Sequence, residues 1–142
     1  MISAGAVHER TLPMMVDVER GGQRIANPSR ALVEDRTRAF AKRCEQLSRR
    51  LPTLYGGELL RADGVTDRLG CGRSAIALYN ATLPPDVIHR TGTDLEHIAL
   101  WQYCAADGLV AGPASYPREA PGCGRVDISA VVLAGGVEAL LS

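Results

Sequence analysis

Few side chains in this chain could do chemistry, and they are scattered. Glu58, Glu119 and Asp127 are the candidate acids. Two of them in one apolar pocket would support general acid–base hydrolysis if one had a raised pKa. His89 could serve as a general base, although nothing near it in sequence pairs with it. A strand-end histidine making one backbone hydrogen bond is the competing reading. Trp101 is the single tryptophan, and Tyr55, Tyr79, Tyr103 and Tyr116 are the four tyrosines. Flat aromatic walls suit planar or cationic ligands through stacking and cation–π contact. The same rings also serve as ordinary core, so Tyr55 and Tyr116 are the preferred pocket walls because each follows or flanks glycines. Cys44, Cys71, Cys104 and Cys123 form no Cys-x-x-Cys pair. They read as reduced thiols packed as small hydrophobes, and no catalytic residue, metal or cofactor is assigned.

The elements that must position these residues are written twice. Thr11-Leu12-Pro13 with Val16 and Gly21 recurs at one constant offset as Thr82-Leu83-Pro84 with Val87 and Gly92. Gly70-Cys71-Gly72-Arg73 recurs as Gly122-Cys123-Gly124-Arg125. A duplicated unit usually packs against its own copy, which makes the seam between copies the expected ligand groove. Aligned on the second motif, Ala75 matches Asp127, so the architecture itself does not need a carboxylate there. A charge on a central strand is costly unless it is paired or used. Asp127 therefore binds a ligand, or turns to solvent, or bridges to Arg73 or Arg125.

Composition narrows the classes. A chain of 142 residues is expected to form one domain with a sizeable core. Sixteen basic and sixteen acidic residues cancel, which argues against a nucleic-acid partner. Lys42 is the only lysine, and the arginine excess reads as a compositional bias of the genome. No apolar run approaches the roughly 20 residues that span a bilayer. Residues 1–7 lack the pattern of a secretory signal, so a cytoplasmic location and no membrane contact are expected.

Residues 10–19 read as a strand, and Ser29 as the N-cap of a helix running to about Arg50. Val33, Phe40, Cys44, Leu47 and Leu51 form its apolar face, and Glu34 and Asp35 favour its positive end. Strands are expected at 54–61, 73–80, 86–90, 110–116 and 126–133. A second helix is expected from Thr93 or Asp94 to about Asp107, capped by Gly108. Residues 134–142 form a tail with a possible last helical turn. The fold class is α+β: two pseudo-two-fold-related strand-helix-strand-strand modules, about 7–80 and 81–134, forming an antiparallel sheet with two helices on one face.

The run Val87-Ile88-His89-Arg90, Ala99-Leu100-Trp101, Asp107-Gly108-Leu109, Ala111-Gly112-Pro113 and Val126-Asp127-Ile128 resembles the GyrI-like effector-binding domain family. Glu9-Arg10-Thr11-Leu12-Pro13 resembles that family's opening strand. The sequence departs from the family pattern at Thr91, where a glycine is usual, and at Asp127, where a glutamate is usual. No helix-turn-helix segment precedes the domain, so a stand-alone version is expected. The resemblance implies a binding protein for a hydrophobic or aromatic, in some cases cationic, small molecule, acting in sequestration, sensing or antibiotic resistance. It places Asp127 at the pocket floor, with Trp101, Tyr55, Tyr116, Glu58 and His89 as the other ligand-binding candidates. The alternatives are a small hydrolase of the same fold and a gyrase-inhibitor-like interaction module, as monomer or homodimer.

Overall fold

A computed structural model describes residues 12–18, 28–56, 68–80, 82–83, 95–105, 108, 111–124 and 126–141. Its frame is a five-stranded mixed sheet in the order β1-β2-β3-β4-β5, with two α-helices among the described residues, so the fold is α+β. The strands are β1 (Met15–Asp17), β2 (Thr53–Tyr55), β3 (Arg73–Ala77), β4 (Ile98–Cys104) and β5 (Ile128–Val131). The helices are α1 (Arg30–Ser48), between β1 and β2, and α2 (Gly136–Leu141), after β5. The first four strands are mutually parallel, and only β5 runs against its neighbour. The sheet is therefore mostly parallel, not antiparallel as expected. A parallel neighbour demands a crossover connection, which α1 supplies between β1 and β2.

Helix α1 begins where the sequence says it should. The Ser29 hydroxyl accepts from the Leu32 N–H at 3.3 Å, satisfying one of the orphan donors of the first turn. Glu34 and Asp35 lie beyond that first turn, and Glu34 instead pairs with Arg30 at 2.6 Å. The helix ends at Arg49, which adopts φ 59°, ψ 23° and donates its N–H to the Glu45 carbonyl. The buried stripe is Val33, Thr37, Ala41, Cys44 and Ser48. Phe40 and Leu47, expected in that stripe, are 56% and 48% exposed. The small side chains let the helix backbone lie close to the sheet, and the large ones sit beside the contact.

The described part of the expected helix over 93–107, residues 95–105, is not α-helical. Leu95–His97 makes a single 3-10 turn, and Ile98–Cys104 is strand β4. This strand is buried along almost its whole length, so its apolar run has no period-two alternation to separate it from a buried helix. Gly108 does take a positive φ of 99°, but it follows a strand. The described part of the expected strand 110–116 is turn and bend. The expected strand 86–90 lies outside the described residues.

The core has two parts. Val16, Val18 and Leu54 pack with Val33, Ala41 and Cys44 of α1 and with Leu69 and Cys71. Ile76, Leu78, Ile98, Trp101, Tyr103 and Cys104 form the second cluster, against which Tyr116, Ile128 and Ala130 pack. Among the described residues no helix is long and apolar enough to cross a membrane.

Candidate functional site

The sequence candidates do not converge. Trp101 is 3% exposed, and its indole N–H donates to the Leu78 carbonyl at 2.7 Å. Its ring centroid lies 6.4 Å from Tyr116, and Tyr103 lies 5.2 Å from Tyr116 in an edge-to-face contact. Trp101 and Tyr116 thus meet, within a core cluster. Tyr55 is elsewhere. It pairs with Ala75, whereas Trp101 pairs with Ile76, and consecutive strand residues point to opposite faces. The Tyr55 hydroxyl lies 3.0 Å from Gln102 Oε1, to which it donates, and Gln102 Nε2 donates in turn to the Tyr79 hydroxyl at 3.2 Å. Asp127 is exposed and precedes β5, so it is not on a central strand. Its repeat counterpart Ala75 lies inside β3 at 3% exposure. Glu58 and His89 lie outside the described residues, and Glu119 is exposed.

A cleft of about 650 Å³ opens at a different place. It runs across the amino-terminal edge of the parallel strands, where Pro13, Thr53, Arg73 and His97 stand at or just before the starts of β1, β2, β3 and β4. Because α1 runs back between parallel strands, its carboxyl end arrives at this same edge. That end brings Arg49 and Arg50 to the cleft, followed by Leu51. Ala139 and Leu140 of α2 close the other side. Arg50 Nη2 donates to the Leu140 carbonyl at 3.3 Å, tying the two helix ends together. The Gly72 N–H donates to the Pro52 carbonyl at 3.0 Å, and the Thr53 N–H to the Met14 carbonyl at 2.8 Å. These bonds hold the loop ends that form the wall.

The lining combines an apolar side, Pro13, Leu51, Ala139 and Leu140, with a basic side, Arg49, Arg50, Arg73 and His97. Glu96 is the one carboxylate among the described lining residues; its side chain is 81% exposed, with Oε1 3.8 Å from His97 Nδ1. Such a surface can hold an anionic group and an apolar body together. Elsewhere, burial first and then Cys44 push the Cys71 thiol up to about 11, against an opposing effect of Arg68. That suppresses the thiolate a nucleophile would need. No group of three His, Cys, Asp or Glu among the described residues could hold a metal ion.

None of the cleft residues was among the sequence candidates. A signal was nonetheless present, because Pro13, Gly72 and Arg73 belong to the first copies of the two repeated motifs. Arg49-Arg50 directly before Leu51-Pro52 was the other sign, a pair of cations at a predicted helix end. No family profile, curated protein or solved structure matches this chain.

Proposed function

We propose that this chain is a small-molecule-binding domain that holds a ligand with a hydrophobic or aromatic body in the cleft at the strand starts. Sequestration, sensing or resistance is the role implied by its resemblance to GyrI-like effector-binding domains. The observation that carries the reading is the cleft itself. At about 650 Å³ it falls in the roughly 300–1,000 Å³ range of ligand sites, and it joins apolar walls to a few convergent polar groups. The cationic ligand suggested by Asp127 is not part of this proposal, since three arginines face the cleft.

The pseudo-two-fold relation between the halves belongs to the same reading. It is supported by Gly70-Cys71-Gly72 and Gly122-Cys123-Gly124, which both precede strands, β3 and β5. β3 and β5 run in opposite senses, as an axis perpendicular to the sheet requires, whereas β4 runs parallel to β3 and falls outside the relation.

The test is a thermal-shift screen of aromatic natural products against the wild-type chain and Ala139→Trp, which fills the cleft from α2. A ligand at 100 times its Kd should stabilise the wild type by about 2.7 kcal/mol. The shift should disappear in Ala139→Trp. Equal stabilisation of both proteins would remove the cleft as the site. The interaction-module reading has one observation in its favour, the exposure of Phe40 and Leu47 along α1. Phe40→Ser with Leu47→Ser would abolish partner binding under that reading and leave the ligand shift intact under the first.

A further inference from the structure

The chemistry of the cleft specifies its ligand further. We propose that it takes a dianionic head group of the phosphomonoester type, carried on an apolar body, with the Arg49 and Arg73 guanidiniums as the principal partners. This inference rests on the cleft being the small-molecule site.

The first argument is charge. The whole chain is neutral, with sixteen basic and sixteen acidic residues. Yet Arg49, Arg50 and Arg73 line one cleft against a single described carboxylate, Glu96. That local excess matches a dianion better than a neutral molecule or a cation. The second is pairing. Arg50 is engaged with the Leu140 carbonyl. Neither Arg49 nor Arg73 has an ion pair among the described residues. Two cationic residues lining one cavity give it a positive potential that a bound anion lowers. Their planar forks suit the paired oxygens of a phosphate better than an ammonium would.

The third is backbone conformation. Arg49 sits at φ 59°, in the left-handed region where a helix usually ends on glycine. An arginine there keeps a strained conformation in exchange for a side chain at the cleft. Attraction to the carboxyl end of α1 would favour a cation at Arg49 alone. It does not account for Arg73, which arrives from a separate strand. The fourth is the remainder of the wall. Pro13, Leu51, Ala139 and Leu140 offer an apolar surface beside the basic one, so the anion is expected as a substituent of a larger molecule.

The experiment is calorimetric titration with 2-naphthyl phosphate, 2-naphthol and inorganic phosphate. At about pH 8 a phosphomonoester is dianionic, because its second pKa is about 6. 2-Naphthyl phosphate should bind at least about ten-fold more tightly than either fragment, with an affinity that falls as salt is raised. Arg49→Gln and Arg73→Gln should each weaken it about ten-fold. If Arg73→Gln does not fold, Arg49→Gly carries the test, since glycine suits that backbone position. Equal affinity for 2-naphthol and the phosphate would overturn the anion inference while leaving a small-molecule cleft. Inorganic phosphate binding as tightly as the ester would remove the apolar body. Phosphate binding that neither arginine substitution weakens would place the anion elsewhere. Failure of all three probes to bind would overturn the inference, and the cleft reading would stand or fall on the Ala139→Trp screen.

Discussion

At the scale of single residues, Arg49 and Cys71 show how environment decides what a side chain does. Arg49 occupies a left-handed position that costs a non-glycine residue about 1 kcal/mol. Arg49→Gly should therefore raise stability by up to about 1 kcal/mol in urea unfolding while weakening phosphomonoester binding. A mutant that gains stability and loses affinity separates the two roles, whereas loss of both would refute the strain argument. Cys71 is raised from 9.0 to about 11 by burial first and by Cys44 second. Between those pH values the unfolded thiol has lost its proton and the folded one retains it. The folded state then binds more protons, so stability is full below about pH 9.0 and falls as pH rises towards 11. Cys71→Ala should flatten that decline in thermal melts taken across the window. An unchanged slope would assign the alkaline loss to other groups.

Elements are set by how their neighbours cover them. The Ser29 cap and the stop before Pro52 made α1 legible, because both act locally, but of the expected apolar face Val33, Phe40, Cys44, Leu47 and Leu51 only Val33 and Cys44 are buried. Strand β4 was not legible. Ile98-Ala99-Leu100-Trp101-Gln102-Tyr103-Cys104 is covered on both faces, so the alternation that marks a strand is missing. The turn over residues 111–118 is held against β4 by several hydrogen bonds. The Ala111 N–H donates to the Tyr103 carbonyl at 2.8 Å, and the Tyr103 hydroxyl donates to the Pro117 carbonyl at 3.0 Å. Gly112 lets this happen, with φ 76° and no Cβ; a methyl there would stand 2.8 Å from Tyr103 Cδ2. Gly112→Ala should lower stability by about 1–3 kcal/mol, read as a lower urea midpoint with unchanged m. A midpoint equal to that of the wild type would mean the turn shifts freely, and the contact would not be structural.

At the scale of the molecule, the core and the cleft lie at different depths of one sheet. Cys44, Cys71 and Cys104 are buried, whereas Cys123 is exposed in the turn before β5. A thiol reagent should label Cys123 rapidly and the other three only as fast as the protein opens. Fast labelling of a second cysteine, located by mass spectrometry, would show that the two core clusters open independently. The aromatic residues chosen from the sequence belong to this interior and to the opposite sheet face, not to the cleft. Residue chemistry shows what Trp101 or Tyr55 could bind, but strand register decides which face each occupies. By itself the sequence determined the α+β class, the position of α1, the starts of β2 and β3 and the repeated turns, because these depend on capping, proline, glycine and local periodicity. Only the tertiary structure decided that four strands run parallel. That arrangement carries the end of α1 back to the strand starts and gathers the Arg49-Arg50 pair with Arg73 and His97, distant from it in sequence, into one basic cleft.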